Sequence, residues 1–333
     1  MKAIVYQDHQ LPITDPKALY DIDTEKPTPG ARDILVRIKA ISVNPIDTKI
    51  RRSSRPEKPR ILGWDAVGEV VAIGEKVSLF VPGDKVYYAG SLVRPGTNAE
   101  FHTVDERIVA KMPTTCSDAQ AAALPLTALT AWELLFDRLA VETEKPKTLL
   151  IIGAAGGVGS LLTQLASKLT KLRVIATASR PETVQWVKSL GADEVIDHSN
   201  SLVDECRKVG IEQVDYVASL THTDSHYEDI IELLAPQGKL GLIDDPKTLD
   251  ALPLKRKAIS LHWELMFTRS LFETDDMIRQ HEILTQVASL VDQGIIKTTL
   301  SEHYGSINAE NLRKAHAMLE SHKARGKIVL EGF

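Results

Sequence analysis

Cysteine is nearly absent from this chain: Cys116 and Cys206 are the only two in 333 residues, and they lie far apart. That excludes a disulfide framework and makes a reducing cytoplasm the expected location. An excess of one charge is also lacking. Forty basic side chains against 45 acidic ones give a net charge of −5 and a pI near 6.1, so no global basic field invites nucleic acid. The one basic run, Lys49, Arg51, Arg52, Arg55, Lys58 and Arg60, contains two prolines but no aromatic residue, and it reads as a solvated loop. No uninterrupted apolar stretch is long enough to cross a bilayer. Residues 1–6 read as a short strand followed at once by polar residues, not as a secretory leader. Neither an internal repeat nor a low-complexity tract occurs. Nucleic acid and membrane are therefore not expected partners.

What is present divides by texture into two domains, each long enough to bury a core. Up to about residue 110, short β-like segments alternate with the turns Pro29-Gly30, Pro82-Gly83 and Pro95-Gly96. That pattern predicts a small, mostly antiparallel barrel. From Ser117 onward helices and apolar strands alternate. Ser117 or Asp118 caps a helix broken at Pro125 and resumed through Trp132 to Leu139. Strands are expected near 148–152, 172–177, 194–196, 214–218, 238–243 and 258–262, as in a doubly wound parallel sheet. A helix follows over 280–291. The tail then reads strand (Ile307), helix (312–319), strand (327–330) and is expected to rejoin the barrel. The predicted fold class is α/β, with residues 1–124 and 296–333 forming the barrel domain and 125–295 the parallel-sheet domain.

The densest signal is the apolar run 149–152 followed by Gly153-Ala154-Ala155-Gly156-Gly157-Val158-Gly159-Ser160. Strand, glycine turn and helix start in that order seat a dinucleotide pyrophosphate on the first helical N–H groups. Ala154 occupies the first glycine position of the usual G-x-G-x-x-G pattern. Gly156 lets backbone approach phosphate, and Gly159 lets helix and strand pack closely. Val158, Leu161, Leu162, Leu165 and Leu169 form the expected buried helix face. Together with Gly157, these turn residues are candidate cofactor contacts. The next strand ends Ala176-Thr177-Ala178-Ser179-Arg180, with no carboxylate for a ribose 2′-hydroxyl. Ser179 and Arg180 instead suit a 2′-phosphate. A charge-assisted bond of about 1.5–3 kcal/mol corresponds to roughly 10- to 150-fold preference for NADPH. A solvated arginine capping a loop is the alternative. His198 reads either as a contact to the adenine ribose or as an exposed loop histidine.

Three further motifs carry a family resemblance: Val43-Asn44-Pro45-Ile46-Asp47, Gly63-Trp64-Asp65-Ala66-Val67-Gly68, and Pro82-Gly83-Asp84-Lys85-Val86. With the glycine turn in its correct place, the chain resembles the medium-chain dehydrogenase/reductase superfamily. More narrowly it resembles the quinone oxidoreductase branch, including the subgroup labelled zinc-type alcohol dehydrogenase-like. The resemblance implies a GroES-like catalytic domain, a Rossmann domain, a cleft between them and a homodimer. It also implies cofactor contacts at Thr127, Leu220, Ile243 and Lys327, and a polar contact near nicotinamide and substrate at Asn44.

Relatives that hold catalytic zinc use a cysteine in the first motif and a histidine in the second. Here those positions fall at or beside Asn44 and Pro45, and at Trp64, none of which is an adequate zinc ligand. Two cysteines cannot build a four-cysteine structural site. His222 and His226 have ligand spacing on a helix, but no partner ligand stands near, and they read as a loop-to-helix transition. No metal is therefore expected. Hydride must then pass to an acceptor that is already electrophilic, such as a quinone or an α,β-unsaturated carbonyl, with hydrogen-bond donors stabilising the developing oxyanion. Asn44 is one candidate donor, its alternative being a buried amide capping barrel backbone. Lys49 is another, with a plain surface lysine as its alternative. Trp64 and Phe267 are candidate acceptor-pocket walls or simple packing residues. A nucleotide-binding protein with structural or redox-sensing duty and little turnover remains the reading from a different class, and a zinc alcohol dehydrogenase the disfavoured third.

Overall fold

The computed structural model describes residues 1–53 and 55–333; Ser54, within the basic run, lies outside the described residues. In chain order, the first part comprises β1 (Lys2–Tyr6), β2 (Tyr20–Asp23), β3 (Asp33–Ser42), α1 (Pro45–Ser53), β4 (Arg60–Ile61), β5 (Ala66–Ile73), β6 (Lys85–Tyr88), β7 (Phe101–Asp105), β8 (Val109–Lys111), α2 (Asp118–Ala122) and α3 (Pro125–Trp132). Next come β9 (Thr148–Ile152), α4 (Gly157–Leu169), β10 (Arg173–Thr177), α5 (Pro181–Ser189), β11 (Glu194–Ile196), α6 (Leu202–Lys208), β12 (Val214–Ser219), α7 (Thr223–Leu233), β13 (Leu234–Leu242) and β14 (Ser260–Trp263). The chain closes with α8 (Thr268–Leu271), α9 (Arg279–Asp292), β15 (Leu300–His303), α10 (Ala309–Glu320) and β16 (Lys327–Glu331).

Residues 130–266 form one compact unit, a six-stranded parallel sheet in the order β11-β10-β9-β12-β13-β14. Counted from β9, that is strand order 3-2-1-4-5-6, the doubly wound arrangement. Central β9 is apolar throughout because helices cover both faces: Leu149 to Ile152 are at most 1% exposed. All six expected strands are present. On α4 the buried face is Leu161, Leu162 and Leu165, whereas Val158 and Leu169 are only half-buried, since both sit in terminal turns.

The other unit joins residues 1–129 to 267–333. Its seven-stranded sheet runs β15-β16-β3-β5-β6-β8, with β7 also paired to β3, and β2-β1-β4 forms a smaller sheet. As expected, the tail returns to the barrel, with β16 antiparallel to β3. The joints differ from the expected 124/125 and 295/296. Helix α9 belongs to the barrel because Tyr87 donates to the Leu284 carbonyl (2.5 Å) and the backbone amides of Thr114 and Thr115 donate to Asp292. Thr127 likewise falls on the barrel side.

Three other expectations change. The tail strand lies at Leu300–His303, not at Ile307, which is buried in a bend; β15 needs pairing with β16 that no local pattern announces. The first part of the basic run is not loop but α1, whose Arg51 is 1% exposed and bound to Glu320 at 2.6 Å. Finally, the helical run 118–138 does have the length and apolar composition of a membrane span, yet 89% of that window is buried inside the protein, as in a core helix.

Candidate active site

In the parallel-sheet unit, β9 ends in a turn that meets α4 at Gly156, the residue preceding its first helical turn. Gly153 has φ +81°, a conformation that costs an L side chain strain. A Cβ on Gly159 would lie 2.5 Å from Ala154 Cα, so only glycine allows the helix to pack this close to the turn. At Gly156 an added Cβ would meet only the Gly153 carbonyl, at 3.5 Å. The protein has room for a side chain there, and a bare backbone leaves that room to a ligand. The turn therefore suits a pyrophosphate resting on the α4 amides. Ala154 fits fully buried at the departed glycine position.

The rim of this turn is formed by strand ends. Gly153 N–H donates to Thr177 Oγ1 at 3.1 Å, and Leu220 N–H to the Ile152 carbonyl at 3.1 Å. Leu220 and Ile243 are half-buried just past β12 and β13. Past β10, Ser179 Oγ lies 3.4 Å from His198 Nε2. Arg180 precedes α5, its side chain 42% exposed and its Nε 3.4 Å from Glu182 Oε1. Burial lowers the pKa of His198, assisted by His222 and Arg180 and opposed by Asp197. The structure thus brings Ser179, Arg180 and His198 together. His222 is the residue before α7, the loop-to-helix transition expected of it.

The barrel unit carries a buried polar cluster built from segments far apart in the chain that meet only in the fold. Asp65 Oδ2 accepts from Ser42 Oγ (2.8 Å), Asn44 Nδ2 (2.8 Å) and Lys327 Nζ (2.9 Å). Its Oδ1 accepts the Leu126 N–H at 2.8 Å, a carboxylate in the first turn of α3 where the helix dipole favours it. Lys327 also donates to the Val43 carbonyl at 2.9 Å and to Asn44 Oδ1. An ammonium has three hydrogens, and all three have protein acceptors, which leaves none for a nucleotide. Lys327, expected as a cofactor contact, stands in this cluster as a cation fixing Asn44 and Asp65. Neighbouring Asp47 accepts the Asn44 N–H at 2.7 Å, and burial pushes its pKa up to about 7, against the pull of the Asn44 amide and Lys327.

Other candidates are placed less centrally. Lys49 is exposed on α1. Thr127 is buried with its hydroxyl on the Leu124 carbonyl, 3.1 Å. Trp64 and Phe267 do meet, edge to face with centroids 6.4 Å apart, at 1% and 2% exposure. Trp64 Nε1 donates to the Ser91 carbonyl at 3.1 Å. Asp65 and Ser42 were not among the candidate residues, although Asp65 stands inside a quoted motif; a carboxylate's burial has no signature in spacing. Zinc does not fit here. The histidine position is an indole whose nitrogen only donates, and the Asn44 carbonyl faces an ammonium. Among the described residues no group of three or more His, Cys, Asp or Glu could hold a metal ion.

A parallel sheet with a glycine-turn nucleotide seat, and a barrel with a buried polar cluster, define a two-domain dehydrogenase/reductase. The Alcohol dehydrogenase GroES-like domain family matches residues 30–114, and the Zinc-binding dehydrogenase family matches 190–330. A zinc-type alcohol dehydrogenase-like protein of Staphylococcus epidermidis is 40% identical, covering 99% of both chains. Among solved structures, a Rhizobium etli protein provisionally described as a zinc-dependent alcohol dehydrogenase is 55% identical with TM-score 0.96, covering 100% of this chain and 98% of that one. Escherichia coli quinone oxidoreductase complexed with NADPH is 26% identical with TM-score 0.85, covering 99% of this chain and 100% of that one. The chain belongs to the medium-chain dehydrogenase/reductase superfamily and to its quinone oxidoreductase-like branch. It is an oxidoreductase of that family.

Proposed function

We propose that this protein is an NADPH-dependent, metal-independent reductase of quinones or α,β-unsaturated carbonyls. The observation that carries this proposal is the Asn44–Asp65–Lys327 cluster, whose Asn44 falls at or beside the position where zinc-using relatives carry a cysteine. NADPH supplies the hydride. Ser179 and Arg180 suit the 2′-phosphate at a strand end without a carboxylate. Asn44 Nδ2 gives one hydrogen to Asp65 and has a second with no acceptor among the described residues. Held rigid by Lys327 and Asp65, that second hydrogen is a preorganised donor for the oxygen on which charge develops; losing one such donor typically costs roughly 10²–10³ in rate. The hydroquinone anion then takes a proton on oxygen, or the enolate one on carbon, from solvent, so the reduction is complete without a dedicated acid. A homodimer is part of the same proposal, checked by light scattering.

The test is steady-state NADPH oxidation with quinones and enals, set beside alcohol oxidation with NADP and elemental analysis for zinc. Turnover of the electrophiles without stoichiometric metal is expected. Alcohol oxidation with bound zinc would overturn the proposal. Tight NADPH binding with no turnover on any acceptor would favour the nucleotide-binding protein of little activity.

A further inference from the structure

Three histidines gather around the strand ends beside Ser179 and Arg180. His198 follows β11, His222 precedes α7 and His226 lies one turn into it. No single stretch of sequence brings them together. His198 is half-buried, with Nε2 toward Ser179 Oγ and with Nδ1 buried and unpartnered. We propose that His198, supported by His222 and His226, selects 2′-phosphorylated over unphosphorylated adenine nucleotides, taking up a proton as the phosphate binds. This rests on the NADPH assignment made above and adds to it a proton-linked specificity.

The electrostatics of the pocket favour it. Burial disfavours the charged form of His198, and so do His222 on α7 and Arg180 on the loop after β10. His226 is likewise depressed by burial, then by His198 and His222. Opposing them are Asp197 beside His198 and Asp229 on α7. From α6, Glu205 accepts the Asp197 N–H (3.3 Å) and Lys208 faces the same carboxylate. Burial first, and then the neighbouring cationic groups, thus disfavour the charged form of His198 and His226 in the free protein. A phosphate carries about −1.5 to −2 at that pH. Set beside Ser179, it adds counter-charge to that of Asp197 and Asp229, so the His198 ring becomes a donor from both nitrogens. Binding of the 2′-phosphate must then tighten as pH falls, while a ligand without that group gains nothing.

The experiment compares 2′,5′-ADP with 5′-AMP by calorimetry between pH 8 and 6.5, a range above the second ionisation of the phosphate. One linked proton changes affinity by at most about tenfold per pH unit. The preference for 2′,5′-ADP should therefore grow over the range, by no more than about thirtyfold, and titrations in buffers of different ionisation heat should show proton uptake. In His198→Asn both effects should vanish while a basal preference from Arg180 persists. A constant preference in the unmodified protein, or His198→Asn behaving like it, overturns the inference and leaves the NADPH assignment standing. Equal affinity for the two ligands at every pH overturns both.

Discussion

Lys327 Nζ lies 2.9 Å from Asp65 Oδ2, and their side chains are 3% and 0% exposed. Breaking a buried pair leaves an uncompensated charge, at a cost of about 3–5 kcal/mol. Lys327→Met should therefore destabilise strongly in urea denaturation. Adding Asp65→Asn to Lys327→Met should recover part of that loss, since the remaining side chains are neutral. NADPH affinity of the folded variant should stay within about twofold, because Lys327 has no hydrogen left for the nucleotide. A large affinity loss in fully folded protein would restore it as a cofactor contact.

Gly159→Ala should remove nucleotide binding. The new methyl meets Ala154 Cα and the Gly153 carbonyl, both at 2.5 Å, and backbone on both sides cannot turn away. Overpacking of this kind costs about 1–3 kcal/mol. Thermal denaturation and NADPH fluorescence titration read the two consequences separately. Unchanged affinity would show that the turn does not seat the phosphates.

Asp47 should make stability depend on pH. Its folded pKa, near 7, lies above the roughly 3.9 of an unfolded chain. The folded protein therefore holds a proton that the unfolded chain releases. This contribution is complete below about pH 4 and declines by about 1.4 kcal/mol per unit until pH 7. Asp47→Asn removes the slope. Relative to the parent, the variant should gain stability from pH 5 to 8 in denaturant titrations; a constant difference would place the carboxyl in an ordinary environment.

Arg180→Ala should weaken NADPH and spare NADH. With its side chain 42% exposed, the loss belongs near the lower end of charge-assisted bonds, about tenfold in Kd. Equal weakening of both nucleotides would assign Arg180 to α5 structure instead.

How much was legible beforehand follows a physical division. Gly153 to Ser160 could be read because the β9–α4 turn is local: glycines, an apolar run and a helical period lie within a few residues of one another. The alternation that gave the six strands is local for the same reason. Arg51 could not be read. Its neighbours Lys49 and Arg52 are exposed, and burial of its guanidinium is made tolerable by Glu320 on α10, 269 residues away, and by the Leu11 carbonyl. The position of α9 escaped similarly, because Tyr87 and Asp292 attach it to the barrel through contacts with no sequence period.

The sequence by itself determined the two textures of fold, the strand-turn-helix that seats a nucleotide, and the side chains at the positions where relatives ligate zinc. Those properties depend on neighbours along the chain. Only the tertiary structure decided that Lys327 holds Asn44 and Asp65, that Asp47 is a buried acid, and that His198 meets Ser179. Charge, burial and proton affinity are set by what surrounds a group in space, and here the surroundings come from segments up to 284 residues apart.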